Sequence, residues 1–167
     1  MSTSALRAAN TIIEQSLENG QMVDQLKLQK LLYLAQGISL AVRDEPLFSD
    51  KIEAWRYGPV VRAVYNAAKF HGAAPIAALL PGIYLGAKTV GAEDTESIAV
   101  IAETLRAYGD LQGVQLVALT HRPGLPEGEP WVEARARATP RDQSPTIDLD
   151  LMRTSFKRLL KQQPIAY

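Results

Sequence analysis

Few side chains in this sequence of 167 residues are of the types that carry out acid–base or metal chemistry, since it contains two histidines and no cysteine. His121 could act as a base or a metal ligand if the fold brings it to Asp110 or Glu103. A metal-dependent hydrolase using His121 and nearby carboxylates is therefore one hypothesis. The opposing interpretation is structural, because both histidines lie where a helix is expected to end and imidazolium interacts favourably with the helix dipole there.

Catalytic and cofactor motifs with a known mechanism are missing from the sequence. It contains no GxGxxG, GxxxxGK[ST], HExxH, HRD or GxSxG pattern. The lack of cysteine excludes disulfide scaffolds, Cys-ligated zinc and thiol catalysis. Those enzyme classes therefore have no support in the sequence, and its motifs identify no catalytic residue, no metal site and no cofactor.

The charge is balanced, with 18 Lys and Arg against 18 Asp and Glu. A neutral chain lacks the general attraction to phosphate that non-specific nucleic-acid binding needs, so a nucleic-acid-binding regulator is a weaker alternative. The basic residues of the last predicted helix are interpreted first as a solvated face, and second as a strip for an acidic partner; they are Arg153, Lys157, Arg158 and Lys161. No apolar run approaches the ~20 residues that span a bilayer, and no secretory signal is recognisable, so we expect a cytoplasmic protein.

Apolar spacing and breakers predict a mainly α fold. Helices are expected over about residues 4–18, from Asp24 to just before Pro46, from Pro59 to Gly72, over 94–108, from Asp110 to His121, over 130–138 and through 152–160. Residues 47–57 are predicted as strand, 73–91 as a connector and 122–130 as an exposed loop. Residues 1–167 should form a single compact domain of about six or seven helices, with room for one short β-hairpin.

The second predicted helix has an apolar stripe and, on its other side, Gln29, Tyr33 and Gln36. A tyrosine between two amides is typical of a protein-binding surface. The alternative is that this side packs beneath the segment from Trp55 to Tyr57 and is buried. Trp55 itself is expected in the core.

Three blocks of sequence carry a family resemblance. Residues 26–37 are LKLQKLLYLAQG, residues 52–61 are IEAWRYGPVV, and Leu119-Thr120-His121 precedes Pro130-Trp131. Together they resemble the Panacea domain, the antitoxin-associated family that includes the SocA proteins and phage-encoded relatives. The resemblance implies that the motif residues have structural roles; they are Lys30, Leu31, Leu32, Trp55, Gly58, Pro59, His121 and Trp131.

The resemblance implies the antitoxin of a bacterial or phage toxin–antitoxin system. Such a protein neutralises its cognate toxin by direct contact, without catalysis, and in the SocA type also delivers the toxin to a ClpXP-type protease. The partners that the resemblance implies are therefore the toxin and that protease. The apolar runs argue against a membrane, and the balanced charge makes nucleic acid the weaker alternative. We expect Gln29, Tyr33, Gln36 and Tyr57 to bind the toxin.

Overall fold

The computed structural model describes residues 3–82 and 88–162, and within them it is a mainly α single domain. The helices are α1 (Ala5–Glu18), α2 (Gln25–Arg43), α3 (Arg62–Ala68), α4 (Thr95–Tyr108), α5 (Gly113–His121), α6 (Glu129–Ala136) and α7 (Leu149–Gln162). A short 3-10 turn, Lys69–His71, follows α3, and the strands β1 (Glu53–Trp55) and β2 (Gly58–Val60) form one hairpin. The predicted fold class is confirmed. No helix in the described part combines the length and apolarity needed to cross a membrane.

The first two helices begin at the side-chain caps that their sequences provide. The Ser4 hydroxyl accepts the Arg7 N–H at 3.2 Å, and the Asp24 carboxylate accepts the Lys27 N–H at 2.8 Å. Each cap satisfies one of the N–H groups that a helix leaves unpaired at its start. Gly20, with a φ of +70°, follows the end of α1. The predicted positions of both helices are confirmed.

Helix α2 is the centre of the fold. It contacts α1, α3, α4, α5, α7 and β2, and every residue from Lys27 to Leu40 is buried. A helix covered on all sides has no solvated face. The prediction of a single apolar stripe with a polar opposite side was therefore wrong for this helix.

The contact between α2 and α7 depends on the absence of a side chain at Gly37. A Cβ at this position would stand 2.5 Å from ring atoms of Phe156. The same ring packs edge-on against Tyr33, with the ring centroids 5.8 Å apart. The Phe156 ring of α7 thus packs directly against the backbone of α2 at Gly37, which allows the two helices to approach closely.

The β-hairpin replaces what the sequence predicted to be the start of a helix. Pro59 was expected at the first position of α3, but it pairs with Ala54 in the hairpin, and α3 begins at Arg62. Proline suits a short strand as well as a helix start, because its fixed φ is compatible with both. Of the residues 47–57 that were predicted as strand, Glu53–Trp55 form β1.

Two other local predictions differ from the structure. Asp110 was expected to cap α5, which instead begins at Gly113 after Gln112, while Asp110 accepts a hydrogen bond from Gln21 at 2.9 Å. The loop over 122–130 was expected to be exposed, but residues 126–128 are buried. This half of the loop lies beneath other elements because its backbone binds a side chain of α2, as described below.

The connector over 73–91 lies partly outside the described residues, which omit 83–87. On either side of that gap, Asn10 of α1 holds the backbone. Its amide nitrogen donates to the carbonyls of Leu80 at 2.9 Å and Lys88 at 3.0 Å, and its oxygen accepts the Leu80 N–H at 2.7 Å. One buried amide thus binds chain segments that have no regular secondary structure.

Candidate functional site

Gln29, Tyr33 and Gln36 lie on one side of α2, as their spacing predicts, but all three are buried. The expectation that they form an exposed surface was therefore wrong. Burial, the alternative, is correct, but the backbone that these side chains bind is at residues 47–48, 61 and 127 and not in the segment from Trp55 to Tyr57. The reason is physical. Segments without helix or sheet partners pass over this side of α2, and their backbone groups need buried hydrogen-bond partners.

The two glutamine amides each hold one of these extended segments. Gln29 accepts the Val61 N–H at 2.9 Å and donates to the Val61 carbonyl at 3.4 Å. Gln36 accepts the N–H groups of Leu47 at 2.7 Å and Phe48 at 3.2 Å, and donates to the Phe48 carbonyl at 3.0 Å. An amide suits this role because it offers both a donor and an acceptor.

Tyr33 holds the buried half of the loop before α6. Its hydroxyl donates to the Glu127 carbonyl at 2.7 Å, and the residue has no exposed surface. Burial, followed by the nearby Glu127 carboxylate, raises the pKa of Tyr33 well above its usual value. Tyr33 is therefore a neutral hydrogen-bond donor in the core.

Three motif residues, Lys30, His121 and Trp131, lie against the backbone of the hairpin, together with Arg135. Three side chains donate to hairpin carbonyls: Lys30 to Pro59 at 3.3 Å, Trp131 to Trp55 at 2.9 Å and Arg135 to Ala54 at 3.0 Å. Nε2 of His121 lies 3.4 Å from the Arg56 carbonyl. Side chains of α2 and α6 thus hold the backbone of one short hairpin, and His121 of α5 lies against it.

His121 and Trp131 pack together, with ring centroids 4.0 Å apart. Nδ1 of His121 lies 2.8 Å from the Val117 carbonyl, as expected for a neutral ring that donates from this nitrogen. Burial, opposed by two backbone hydrogen bonds and assisted by the charge of Lys30, lowers the pKa of His121. The imidazole is therefore neutral, and it packs against Trp131 and the hairpin backbone.

The structure does not bring together the acid–base groups of the hydrolase hypothesis. Glu103 pairs with Arg106, Asp110 binds Gln21, and His121 is surrounded by Trp131 and backbone carbonyls. Among the described residues, no three His, Asp or Glu side chains form a group that could hold a metal ion.

The predicted basic strip of α7 is largely engaged in ion pairs. Arg153 and Lys157 both contact the Asp44 carboxylate, at 3.2 and 2.7 Å. Arg158 pairs with Glu129 at 2.5 Å. These contacts tie α7 to the end of α2 and the start of α6, although exposed pairs of this kind contribute little to stability.

A groove of about 620 Å³ lies beside the hairpin, close to the motif residues, and its walls are largely apolar. Its apolar and aromatic walls are Leu26, Trp55, Tyr57, Val60, Tyr65 and Ala73. Trp55 was expected in the core but is only half-buried, since one face of the indole forms this wall. It packs against Tyr65 at 4.8 Å between centroids, and Arg62 lies over it at 5.1 Å.

The hairpin tip, Arg56 and Tyr57, projects beyond this groove. The Tyr57 side chain is 69% exposed, and the Arg56 guanidinium lies 5.5 Å from the centre of its ring. A second cleft, of about 470 Å³, opens on the other side of Arg56. Of the four residues expected to bind a partner, Tyr57 alone is at the surface.

Two contributors to this site were missed by the sequence reasoning. Arg135 holds the Ala54 carbonyl and also donates to the Gln143 carbonyl at 2.6 Å, yet a lone arginine in a short helix carries no signal for such contacts. Tyr65 of α3 was also not among the residues expected at the partner-binding surface. A signal was available for Tyr65, because an aromatic residue close in sequence to Trp55 and Tyr57 indicates an aromatic cluster.

Comparisons with known proteins place the chain in a family. The family model described as "Antitoxin SocA-like, Panacea domain" matches residues 28–126. The chain is also 31% identical over 129 residues to Antitoxin SocA of Caulobacter vibrioides (strain NA1000 / CB15N), which covers 75% of this chain and 69% of that relative. No solved structure matches the chain. The family model matches more than half of the chain, from within α2 to beyond α5, and the relative is 31% identical over 75% of it, so the protein belongs to the SocA-like antitoxin family built on the Panacea domain.

Proposed function

We propose that this chain neutralises a toxin protein by direct contact, and that the hairpin tip and the groove beside it form the contact surface. Membership of the family supports an antitoxin role, and that role implies a toxin partner. One observation carries the choice of surface. Tyr57 is 69% exposed on a hairpin whose backbone carbonyls accept hydrogen bonds from side chains of two helices, α2 and α6.

A fixed hairpin suits binding because its order is established before the partner arrives. Association normally incurs a cost for ordering loops and long side chains at the interface. Here the carbonyls on both sides of the tip are already hydrogen-bonded to Trp131 and Lys30. An exposed aromatic on such a rigid support is the type of residue that dominates binding energy at interfaces.

The toxin would be recognised through side chains rather than by addition of a strand. The outer edge of β1 is already occupied, since the Ala54 N–H donates to the Pro145 carbonyl at 2.8 Å. On the other side, the segment after β2 binds Gln29 of α2. An incoming strand therefore has no free edge, whereas the groove and the tip remain open.

The test compares two exposed aromatics. Tyr57→Ala removes the tip side chain, and Phe70→Ala is the matched control, because Phe70 is 88% exposed but does not line the groove. The toxin to use is the product of a neighbouring reading frame that arrests growth when expressed alone. Calorimetric titration with this toxin measures the dissociation constant, and thermal melting measures the stability of each variant.

Tyr57→Ala should raise the dissociation constant roughly 30-fold, since an anchoring aromatic is worth about 2 kcal/mol at an interface. The melting temperature should stay unchanged, because the ring is exposed. Phe70→Ala should leave both quantities unchanged. If Tyr57→Ala bound the toxin with wild-type affinity, the contact surface would lie elsewhere.

The second part of the proposal is that bound toxin is delivered to a ClpXP-type protease, as the family resemblance implies. Blocking and delivery differ in the lifetime of the toxin. In cells that express both proteins, delivery shortens the half-life of the toxin, and loss of the protease restores both the toxin and its effect on growth. A half-life that is independent of the protease would leave direct blocking as the mode of neutralisation.

A further inference from the structure

We propose that the groove beside the hairpin binds a toxin segment in which an acidic side chain neighbours an apolar one, with the carboxylate paired to Lys30. This inference deepens the function proposed above and rests on it. It names the chemistry of the partner segment, which neither the family nor its printed descriptions specify.

Lys30 is a buried cation with unused hydrogen-bonding capacity. It lines the groove, has 1% of its surface exposed, and donates to the Pro59 carbonyl at 3.3 Å. An ammonium group has three donors, and this single contact is long. Within residues 3–82 and 88–162, no carboxylate forms an ion pair with it.

The lack of an acidic neighbour makes this lysine a strong site for an incoming carboxylate. Burial lowers the pKa of Lys30 to about 8, which still leaves most of the side chains charged at neutral pH. The cost of removing the ammonium from water is therefore incurred in the free protein. A carboxylate that reaches it adds attraction at low dielectric and desolvates one further ion only.

The remaining surface of the groove specifies an apolar neighbour for that carboxylate. Trp55, Val60 and Tyr65 form walls that would cover an aliphatic or aromatic side chain. At the rim, Arg56 adds a second positive charge. Asp24, the carboxylate that lines the groove, has an oxygen engaged with the N–H of Lys27 at the start of α2.

The experiment uses two short peptides that differ in one charge. Acetyl-Leu-Glu-Leu-amide and acetyl-Leu-Gln-Leu-amide are titrated into the full chain at pH 7, and binding is followed by NMR shifts of backbone amides. We expect the Glu peptide to bind about tenfold more tightly than the Gln peptide. The largest shifts should lie at Tyr57, Val60 and Tyr65. In Lys30→Met, which keeps the apolar stem, most of this tenfold preference should be lost, and only the smaller contribution of Arg56 at the rim should remain.

A pH series on the wild type provides a test that does not depend on the folding of the variant. The preference for the Glu peptide should fall as the pH rises from 7 to 9.5, because Lys30 loses its proton over this range. Other titratable or charged groups line the groove or lie against Lys30; they are Asp24, Arg56, Tyr57, Tyr65 and His121. The same series on folded Lys30→Met subtracts their contributions.

Several results would overturn the inference. Equal binding of the two peptides would mean that the groove is an apolar site only, and no binding would mean that it does not take such a segment. A Glu preference that stays tenfold in Lys30→Met or persists unchanged to pH 9.5 would place the anion elsewhere, and so would shift changes that map to α7. Because no toxin is used, these results are separate from the Tyr57→Ala test of the proposed function.

Discussion

At Gly58, the side chains of two motif residues, Lys30 and His121, occupy the space that a Cβ atom would need. The φ of Gly58 is +115°, and a Cβ there would lie 2.5 Å from Cε of Lys30 and 2.8 Å from Cε1 of His121. Gly58→Ala should therefore combine backbone strain with displacement of both side chains. We expect a loss of about 3 to 5 kcal/mol in the free energy of unfolding, measured by denaturant titration.

Gly124 provides the matched control for this prediction. It also has a positive φ, +84°, but no atom lies within 4 Å of the place where its Cβ would stand. Gly124→Ala should lower the free energy of unfolding by about 1 kcal/mol, because backbone strain is then the only penalty. Equal losses in the two variants would show that the contact with Lys30 and His121 contributes nothing.

At the residue scale, spacing predicted the relative positions of the polar residues on α2 but not their surroundings. Gln29 and Gln36 were correctly placed on one side of the helix. Their partners, however, are backbone groups 11 to 32 residues away in the sequence. A helical period carries no information about which extended segment will cross it, so an amide at the surface and an amide holding a loop have the same pattern.

At the element scale, Gly37 decides how closely α7 approaches α2. A glycine within a helix normally costs about 1 kcal/mol relative to alanine, so Gly37→Ala would stabilise α2 in isolation. In the protein the new methyl group would stand 2.5 Å from the Phe156 ring. Overpacking costs about 1 to 3 kcal/mol, and the gain in helix propensity offsets about 1 kcal/mol of this. We therefore expect the free energy of unfolding to fall by up to about 2 kcal/mol.

A double-mutant cycle measures whether the ring is the cause. Phe156→Leu removes the aromatic edge and should itself destabilise the core. When it is combined with Gly37→Ala, the loss should be smaller than the sum of the two single losses, because the methyl group then occupies vacated space. Additive losses would mean that the methyl group is accommodated without contact between α2 and α7.

The elements that sequence reasoning predicted best are those with local signals. α1, α2 and α4 have caps and apolar repeats within their own residues, and their bounds agree with the predicted ranges. The hairpin depends instead on pairing between β1 and β2 and on donors from distant helices. Pro59 was therefore assigned to a helix start, because its local preference could not reveal a partner at Ala54.

At the scale of the whole molecule, burial is centred on α2, which other elements cover from all sides. This explains why the site was predicted only in part. Tyr57 is exposed because it lies at a hairpin tip, whereas Lys30 and Tyr33 are buried because the rest of the chain folds over them. Which side of a central helix is covered depends on the packing of the whole chain.

Burial of Lys30 also makes the stability of the whole molecule depend on pH. The pKa of Lys30 is about 8 in the folded protein and 10.5 in the unfolded chain. Between these values the unfolded chain binds more protons, so the free energy of unfolding must rise with pH. The increase from pH 8 to pH 9.5 should be about 1.5 kcal/mol from this residue.

Comparison with Lys30→Met isolates this contribution, provided that denaturant titrations are made at each pH. The pKa of Lys27 is also lowered by burial, and that of Tyr33 is raised, but both groups remain in the variant and their effects cancel in the difference. His121, whose lowered pKa places its titration at more acidic pH, does not contribute in this range. The wild type should therefore gain stability relative to Lys30→Met as the pH rises to 9.5. Parallel pH profiles would show that Lys30 keeps an ordinary pKa, and hence that water or an acidic group solvates its ammonium in the free protein.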